Sequence, residues 1–221
     1  MAAASVDTVS EIIPHRVPGN RRDVAVVRHL VNADARAARN THRGAVIWLT
    51  GLSGSGKSTL AMGAEQQLFE KGYQVYVLDG DNIRRGVNKD LGFEAADRHE
   101  NVRRVGEIAA LFADAGIIVF AALISPFQAD RDEARAVAPG FYEVYVKASL
   151  SVCEGRDPRG LYRKARSGAL AAFTGVSSPY EEPVNPDLTI DTEAESIERS
   201  VGLLVAFIEQ QVSRIETSAG A

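Results

Sequence analysis

Residues 51–59 read Gly-Leu-Ser-Gly-Ser-Gly-Lys-Ser-Thr and fit the pattern G-x-x-x-x-G-K-[ST]. An apolar run at 45–50 precedes this stretch and a helix-compatible segment follows it. That is the strand, loop and helix order that a P-loop requires. The glycines let the backbone turn tightly and aim N–H groups at phosphate oxygens. The stretch therefore predicts a binding site for a nucleoside triphosphate.

The side chains of this loop predict how the triphosphate and its metal are held. Lys57 can reach the β- and γ-phosphates as a point charge, and the Ser58 hydroxyl can bind Mg²⁺. The helix that starts near Lys57 adds its positive N-terminal end to the anion site. We expect the following residues to bind ATP: Gly51, Leu52, Ser53, Gly54, Ser55, Gly56, Lys57, Ser58 and Thr59.

The rest of the chain alternates between short apolar runs and helix-compatible segments. The runs predict strands at 45–50, 74–79, 117–124, 142–147 and 188–191. The segments between them predict helices at 33–40, 57–71, 97–115, 128–137, 150–156, 159–167 and 194–212. Because the strand runs are continuously apolar, we expect an α/β P-loop NTPase fold, with a five-stranded, mostly parallel sheet between helices on both faces.

Composition restricts the class of protein. The chain has 221 residues, 45% of them hydrophobic, which suits one domain with a full core. We place that domain at 26–215, after a flexible N-terminal arm at 1–25. The net charge of −4 argues against a nucleic-acid partner. A single cysteine, no apolar stretch of about 18 residues and no secretory signal predict a cytoplasmic protein without a membrane partner.

Two carboxylates come at the end of the second predicted strand, whereas the third predicted strand ends without one. Because ligands of open α/β sheets lie beyond the carboxyl ends of the strands, Asp79 and Asp81 should face the same crevice as the P-loop. Asp81 could accept a proton from an attacking hydroxyl or orient it, and Asp79 could contact Mg²⁺ through water. The alternative is an Asx-turn that caps the following helix.

Basic residues and an aromatic ring follow the carboxylates. Arg84, Arg98 and Arg104 put cations near the crevice, and guanidinium groups suit bidentate capture of phosphate or sulfate. Phe93 could stack on a planar base, and Asn101 lies three residues after Arg98 on one helix face. The alternative is a solvated, charged helix.

Ser125 comes at the carboxyl end of the third predicted strand, with Pro126 fixing the turn after it. Its hydroxyl could hydrogen-bond a substrate or serve as a transient phosphate acceptor. Since no base is adjacent in sequence, we favour the hydrogen bond.

Residues 157–186 combine a basic helix with a proline-rich loop. Beside a phosphate site, this composition predicts a mobile lid that excludes water from the transferring phosphoryl group. The alternative is a solvated helix face followed by a long connector.

Taken together, these motifs resemble the adenylyl-sulfate kinase family over about residues 30–212. The matching stretches are the P-loop at 51–59, Leu-Asp-Gly-Asp-Asn-Ile-Arg at 78–84, Asp-Leu-Gly-Phe at 90–93, Asp-Arg at 97–98, Glu-Asn-Val-Arg-Arg-Val-Gly-Glu at 100–107, Ile-Ser-Pro-Phe at 124–127, Arg-Asp-Pro-Arg-Gly-Leu-Tyr at 156–162, Lys-Ala-Arg at 164–166, Phe-Thr-Gly at 173–175 and Ser-Pro-Tyr-Glu at 178–181.

The resemblance implies transfer of the ATP γ-phosphoryl group to the 3′-hydroxyl of adenosine 5′-phosphosulfate (APS). The product would be 3′-phosphoadenosine 5′-phosphosulfate (PAPS), the activated sulfate donor. It also implies Mg²⁺, a homodimer, and sulfate adenylyltransferase as a possible functional partner.

Matching positions imply roles for individual residues. The catalytic group would be Lys57, Asp79, Asp81 and Ser125, and some family members carry phosphoserine at the position of Ser125. Residues implied to hold the phosphosulfate end are Arg84, Arg98 and Asn101. Residues implied to surround the adenine and line its pocket are Phe93, Phe173, Ile124, Ser125 and Lys164. Arg156 would join the ATP-binding residues.

The chain departs from the family pattern at Arg85, Lys147, Ala171 and Ser177. The family usually has Lys at the position of Ala171, and loss of that cation beside the lid could weaken substrate contacts. Two other functions stay open: a different P-loop small-molecule kinase, acting on a nucleoside monophosphate or a sugar acid, and a nucleotide-binding regulator without turnover.

Overall fold

A five-stranded sheet forms the centre of the computed structural model, which describes residues 27–212. The strands are β1 (Ala45–Thr50), β2 (Val75–Asp79), β3 (Ile118–Ala122), β4 (Phe141–Lys147) and β5 (Leu188–Asp191). They lie in the order β2-β3-β1-β4-β5, and every pair of neighbours is parallel. The predicted α/β P-loop fold and its five strands are confirmed, with a fully parallel sheet.

Eight helices connect or flank these strands within the described residues. They are α1 (Ala33–Asn40), α2 (Lys57–Glu70), α3 (Gly80–Arg85), α4 (Ala95–Asp114), α5 (Gln128–Val137), α6 (Leu150–Arg156), α7 (Leu161–Arg166) and α8 (Ile197–Gln211). Side-chain caps begin several of them, for example Ser149 Oγ before α6 and Ser196 Oγ before α8. Helix α8 therefore starts three residues later than predicted.

Helix α3 is the one helix that the sequence patterns do not predict. It has six residues and no buried side chain, so it carries no apolar stripe from which a helix could be inferred. Its cap is Asp79, whose carboxylate accepts a hydrogen bond from the backbone N–H of Asp81 at 3.0 Å. The Asx-type cap considered as an alternative is thus present.

The sheet is covered by helices on both faces. Alternate residues of β1 point to opposite faces, so Ile47 packs with α2 and α8 whereas Trp48 packs with α4. All six β1 residues are buried, which agrees with the continuous apolar run. Complete burial of a large apolar side chain contributes about 1.5–3 kcal/mol.

A smaller apolar cluster joins the first part of the lid to the P-loop. Cys153, Tyr162 and Phe173 pack there, and Leu52 of the P-loop packs against them. Cys153 is fully buried, as expected for a small apolar residue. The base of the lid is therefore tied to the nucleotide loop by packing as well as by chain connection.

No helix between residues 27 and 212 combines the length and apolar character needed to cross a membrane. The predicted arm at 1–25 lies outside the described residues, as do both ends of the predicted 26–215 domain.

Candidate active site

One cavity of about 700 Å³ opens at the carboxyl edge of the sheet. The P-loop, the β2–α3 junction, α4, the end of β3 and the lid all line it. Volumes of this size are typical of sites for small molecules. We call this space the central cavity.

The P-loop has the tightly turned conformation that its glycines predict. Gly51, Gly54 and Gly56 have φ angles of 151°, 79° and 104°. A Cβ atom at Gly51 would lie 2.4 Å from the carbonyl oxygen of Val146, and one at Gly54 would lie 2.9 Å from that of Cys153. The loop therefore rests directly on the backbone of β4 and α6, and side chains at these two glycines would displace it.

Lys57 begins α2 and lies folded against the loop. Its Nζ donates hydrogen bonds to the carbonyl oxygens of Gly51 at 2.8 Å and Leu52 at 2.7 Å. Burial lowers the pKa of this ammonium group to about 8. A phosphate anion beside it would oppose that lowering, so the site favours an anion next to Lys57.

Ser58 and Asp79, the two predicted metal ligands, are in direct contact. Ser58 Oγ donates a 2.6 Å hydrogen bond to Asp79 Oδ2. A hydroxyl and a carboxylate oxygen side by side are the hard donors that Mg²⁺ prefers. Within residues 27–212 no group of three or more His, Cys, Asp or Glu residues is placed for a metal ion. The Ser58 and Asp79 oxygens fit a cation that would complete its coordination with phosphate oxygens and water.

Arg156 contacts the P-loop from the end of α6. Its guanidinium donates to the Gly54 carbonyl at 3.3 Å and to the Thr192 carbonyl at 2.6 Å. The Thr192 hydroxyl donates to the Ser55 carbonyl at 2.7 Å. Thr192 was not selected from the sequence. It directly follows the carboxyl end of β5, and because ligands lie beyond the carboxyl ends of such strands, this position could have identified it.

Arg84 and Phe93 form the outer wall of the cavity. The Arg84 guanidinium lies 4.6 Å from the centre of the Phe93 ring and donates a 2.7 Å hydrogen bond to the Gly92 carbonyl. Phe93 is 56% exposed, which leaves its side chain accessible to a planar group.

Arg98 links the two aromatic segments of the cavity. Its Nε donates to the Phe93 carbonyl and its Nη2 to the Ala172 carbonyl, both at 2.7 Å. Ala172 has a φ of 51°, a backbone conformation that residues other than glycine rarely adopt. The next residue, Phe173, is buried with its ring edge-on to Tyr162, 5.0 Å between centres. One guanidinium thus places Phe93 and Phe173 around the same cavity.

Asn101 lies one turn further along α4 and is buried. Its side-chain oxygen accepts a 3.1 Å hydrogen bond from Asn88 Nδ2. Asn88 is fully buried and was not selected from the sequence, because its turn between α3 and α4 carries no chemical motif. The pairing occupies the Asn101 oxygen, and Asn101 also lines the cavity.

Ser125 and Ile124 line the cavity at the end of β3. Ser125 has a φ of 38°, and its Oγ accepts a 3.1 Å hydrogen bond from the Trp48 indole. The buried Arg131 holds the Ser125 carbonyl at 2.8 Å. Because an indole N–H is a donor and not a base, this contact favours hydrogen bonding over nucleophilic attack for Ser125.

Asp81 forms an ion pair across the cavity with Arg159 of the lid. This hydrogen bond holds the pKa of the Asp81 carboxyl below its usual range. Arg159 was not selected from the sequence, where it is one of several basic lid residues. The packing of the lid distinguishes Arg159 from the other basic lid residues, because it brings the guanidinium to the carboxylate of a residue 78 positions earlier in the chain.

Some residues named from the sequence lie away from the cavity. Lys164 is on the exposed side of α7 and does not line the cavity, so its assigned role stays a prediction. Arg104 pairs with Asp90 at 2.8 Å instead of facing the crevice. Ala171 does line the cavity, whereas Lys147 pairs with Asp191 at 3.4 Å.

Comparisons with known proteins agree on one family. A family model described as adenylylsulphate kinase matches residues 43–191. An adenylyl-sulfate kinase of Geotalea uraniireducens is 59% identical over 175 residues, 78% of this chain and 84% of that protein. One of Bacillus velezensis is 52% identical over 194 residues, 87% of this chain and 98% of that protein.

Solved structures give the same result at the level of the fold. The structure of the Mycobacterium tuberculosis APS kinase in complex with AMPPNP and APS is 48% identical, with a TM-score of 0.74, and covers 76% of this chain and 98% of its own. A gluconokinase from Sinorhizobium meliloti, 20% identical with a TM-score of 0.51, covers 76% of this chain and 92% of its own and shares the fold alone.

Proposed function

This chain belongs to the adenylylsulphate kinase family, and on that premise we infer that it transfers the γ-phosphoryl group of ATP to the 3′-hydroxyl of APS, giving PAPS. The observation that carries this function is the wall of the cavity opposite the P-loop. There the exposed Phe93 ring and the Arg84 and Arg98 guanidinium groups line one space. An aromatic face beside two cations suits an adenine nucleotide that carries an anionic phosphosulfate.

The P-loop half of the cavity would hold ATP. Lys57 would leave the carbonyls of Gly51 and Leu52 to contact the β- and γ-phosphates, while the backbone N–H groups of the loop surround them. Arg156 and Thr192 would hold the loop in shape from behind. Because these contacts fix the loop from outside the nucleotide site, they should limit the ordering cost of ATP binding.

The other half would hold APS. Phe93 and Phe173 would enclose the adenine, and Arg84, Arg98 and Asn101 would neutralise and orient the phosphosulfate. Asp81 would accept or orient the proton of the attacking 3′-hydroxyl. Ser125 and Ile124 would complete the pocket wall, with the Ser125 hydroxyl as a hydrogen-bonding group.

Mg²⁺ would be held by Ser58, with Asp79 beside it, and would neutralise charge on the ATP phosphates when bound. The contact between Ser58 Oγ and Asp79 Oδ2 supports this assignment, because it brings a hydroxyl and a carboxylate oxygen within 2.6 Å of each other next to the P-loop. Asp79 also caps α3, so the same carboxylate fixes the start of the segment that carries Asp81.

The identity of the phosphoryl acceptor distinguishes this function from its alternatives. We would measure coupled ADP release with Mg·ATP and APS, AMP, CMP, gluconate or water alone. Turnover with APS only is expected. Turnover with another acceptor would place the chain among other small-molecule kinases, and tight ATP binding without turnover would favour a regulator. Lys57→Ala, which removes the P-loop cation, is the control for a contaminating kinase.

The working assembly and location remain proposals that rest on the family. We propose a homodimer that acts in the cytoplasm and takes its APS from a sulfate adenylyltransferase. A hexameric APS kinase from Thiobacillus denitrificans, 32% identical with a TM-score of 0.58, covers 78% of this chain and 30% of its own. Light scattering on the purified chain would distinguish a dimer from a larger assembly.

A further inference from the structure

Asn88 is a fully buried polar residue in the turn between α3 and α4, the segment that joins Arg84 to Phe93. Its side-chain nitrogen donates the 3.1 Å hydrogen bond to Asn101 Oδ1. Its side-chain oxygen is buried without a hydrogen-bond partner within residues 27–212. Because a buried carbonyl oxygen without a partner destabilises a fold, this side chain contributes less to stability than a well-packed apolar one would.

The conformation of the turn does not account for an asparagine at position 88. The backbone N–H of Asn88 donates to the Ile83 carbonyl at 3.0 Å, and its carbonyl accepts from the Leu91 N–H at 3.1 Å. Any residue except proline could make both bonds. Asn88 also lacks the positive φ at which asparagine is favoured. The hydrogen bond to Asn101 is therefore the contact that requires an amide here.

Asn101 receives this hydrogen bond at the wall of the central cavity. It is only 4% exposed, and it lines the cavity. Its nitrogen Nδ2 makes no hydrogen bond within residues 27–212, yet it is not one of the buried atoms that lack a partner there, so solvent reaches it. An amide held through its oxygen keeps two N–H donors for another partner.

We propose that Asn88 is a positioning residue for the phosphoryl acceptor, which acts through Asn101. This inference deepens the proposed function and rests on it. Asn88 does not line the cavity itself. By donating to Asn101 Oδ1, it fixes which end of the Asn101 amide enters the cavity, so that the two N–H donors meet the phosphosulfate of APS.

The orientation of the Asn101 amide matters because the ligand is an anion. The two ends of a side-chain amide have nearly the same shape, but one end donates hydrogen bonds and the other accepts them. Packing alone therefore distinguishes them poorly, whereas a buried donor beside the oxygen does. An amide turned by half a rotation would present its oxygen to the phosphosulfate and repel it.

Kinetics on variants of the full chain test this role. Asn88→Ala should raise the KM for APS by roughly tenfold, because the Asn101 amide loses its fixed orientation toward a charged group. The kcat and the KM for ATP should stay within about threefold, since the P-loop contacts do not involve Asn88. Asn88→Asp keeps the shape but, ionised at about pH 8, accepts from Asn101 Nδ2 and cannot donate. It should raise the KM for APS at least as much.

A double-mutant cycle separates positioning from a general loss of structure. In an Asn101→Ala background, Asn88→Ala should change the KM for APS by less than about twofold, because the group that it positions is gone. Asn40→Ala is the matched control. The Asn40 side chain donates to the Gly116 carbonyl at 3.1 Å, away from the residues that line the cavity. Its loss should lower the melting temperature and leave both KM values unchanged.

The proposal is overturned if Asn88→Ala or Asn88→Asp keeps the KM for APS within about twofold of the wild type. Equal rises in the KM values for ATP and APS would also overturn it, as would an Asn88→Ala effect that persists undiminished without Asn101. In those cases, or if neither Asn88 variant folds, Asn88 supports the domain as a whole. Failure of the wild type to phosphorylate APS would instead refute the proposed function.

Discussion

The Trp48 indole donates a 3.1 Å hydrogen bond to the hydroxyl oxygen of Ser125, 77 residues further along the chain. Both side chains are buried, Trp48 completely. The contact turns one lone pair of Ser125 Oγ toward the core. The hydroxyl hydrogen stays available for a substrate oxygen in the cavity that Ser125 lines.

Replacing Ser125 with Ala should therefore leave most of the activity. Loss of one hydrogen bond costs about 0.5–1.5 kcal/mol, which corresponds to a decrease of about tenfold or less in kcat/KM for APS. Steady-state kinetics with APS as the varied substrate would measure it. Trp48→Phe is the matched control, because it removes the indole donor and keeps the serine. Complete inactivity of a folded Ser125→Ala variant would contradict a role limited to one hydrogen bond, and phosphoserine at position 125 detected by mass spectrometry during turnover would then identify a covalent step.

Arg131 gives a second prediction, on stability. Its Nε donates to Glu143 Oε1 at 2.7 Å, and both side chains are almost completely buried. Arg131→Met would leave the Glu143 carboxylate buried and only partly compensated by Arg135 at 3.6 Å. We expect a loss of about 3–5 kcal/mol in the free energy of unfolding, measured by urea denaturation.

The double variant Arg131→Met/Glu143→Gln tests that explanation. Because it removes the uncompensated buried charge, it should recover part of the loss, whereas two independent packing defects would add. A double variant as unstable as the sum of the single variants would contradict the electrostatic account.

A third prediction concerns pH. His99 Nδ1 lies 2.8 Å from the buried Asp130 carboxylate, and Glu133 is 3.7 Å from Nε2. The hydrogen bond to Asp130 raises the pKa of His99 above its ordinary value of 6.5. The folded chain thus holds this proton more tightly than the unfolded chain. The pair stabilises the fold below about pH 6.5, and that contribution is lost as pH rises through the folded pKa.

Thermal unfolding of the wild type and His99→Gln would measure this effect. The wild type should exceed the variant in melting temperature at about pH 6, and the difference should shrink by about pH 8.5. His29→Gln, at another exposed histidine, is the control. A difference between wild type and His99→Gln that does not change with pH would show that the ion pair contributes nothing.

The elements with a strong local pattern could be predicted from the sequence. The P-loop and the strands follow from residue order and continuous apolar runs. The rule about carboxyl ends of strands predicts that Asp79 faces the P-loop crevice, where the structure shows its contact with Ser58. The position of Arg159 could not be predicted, because it depends on how the lid packs. The same reason applies to Lys164: α7 is short, and its packing leaves all of its basic residues, Arg163, Lys164 and Arg166, outside the residues that line the cavity.

The last prediction separates the two substrates at Arg98. Its two hydrogen bonds of 2.7 Å fix the carbonyls of Phe93 and Ala172, and so the two rings proposed to enclose the adenine. Arg98→Lys keeps the charge but cannot span both carbonyls, since lysine lacks the planar fork. We expect the KM for APS to rise by roughly tenfold or more, because the lost hydrogen bond involves a charged group. The KM for ATP should change little.

Arg103→Lys is the control for this change. Arg103 lies on the same helix and pairs with Glu100 at 2.7 Å, away from the residues that line the cavity. Its KM values should match the wild type for both substrates. If Arg98→Lys raised the two KM values equally, Arg98 would act on the whole domain and not on the APS half. A rise confined to APS would assign the Phe93–Arg98–Ala172 link to acceptor binding, because the P-loop contacts do not involve it.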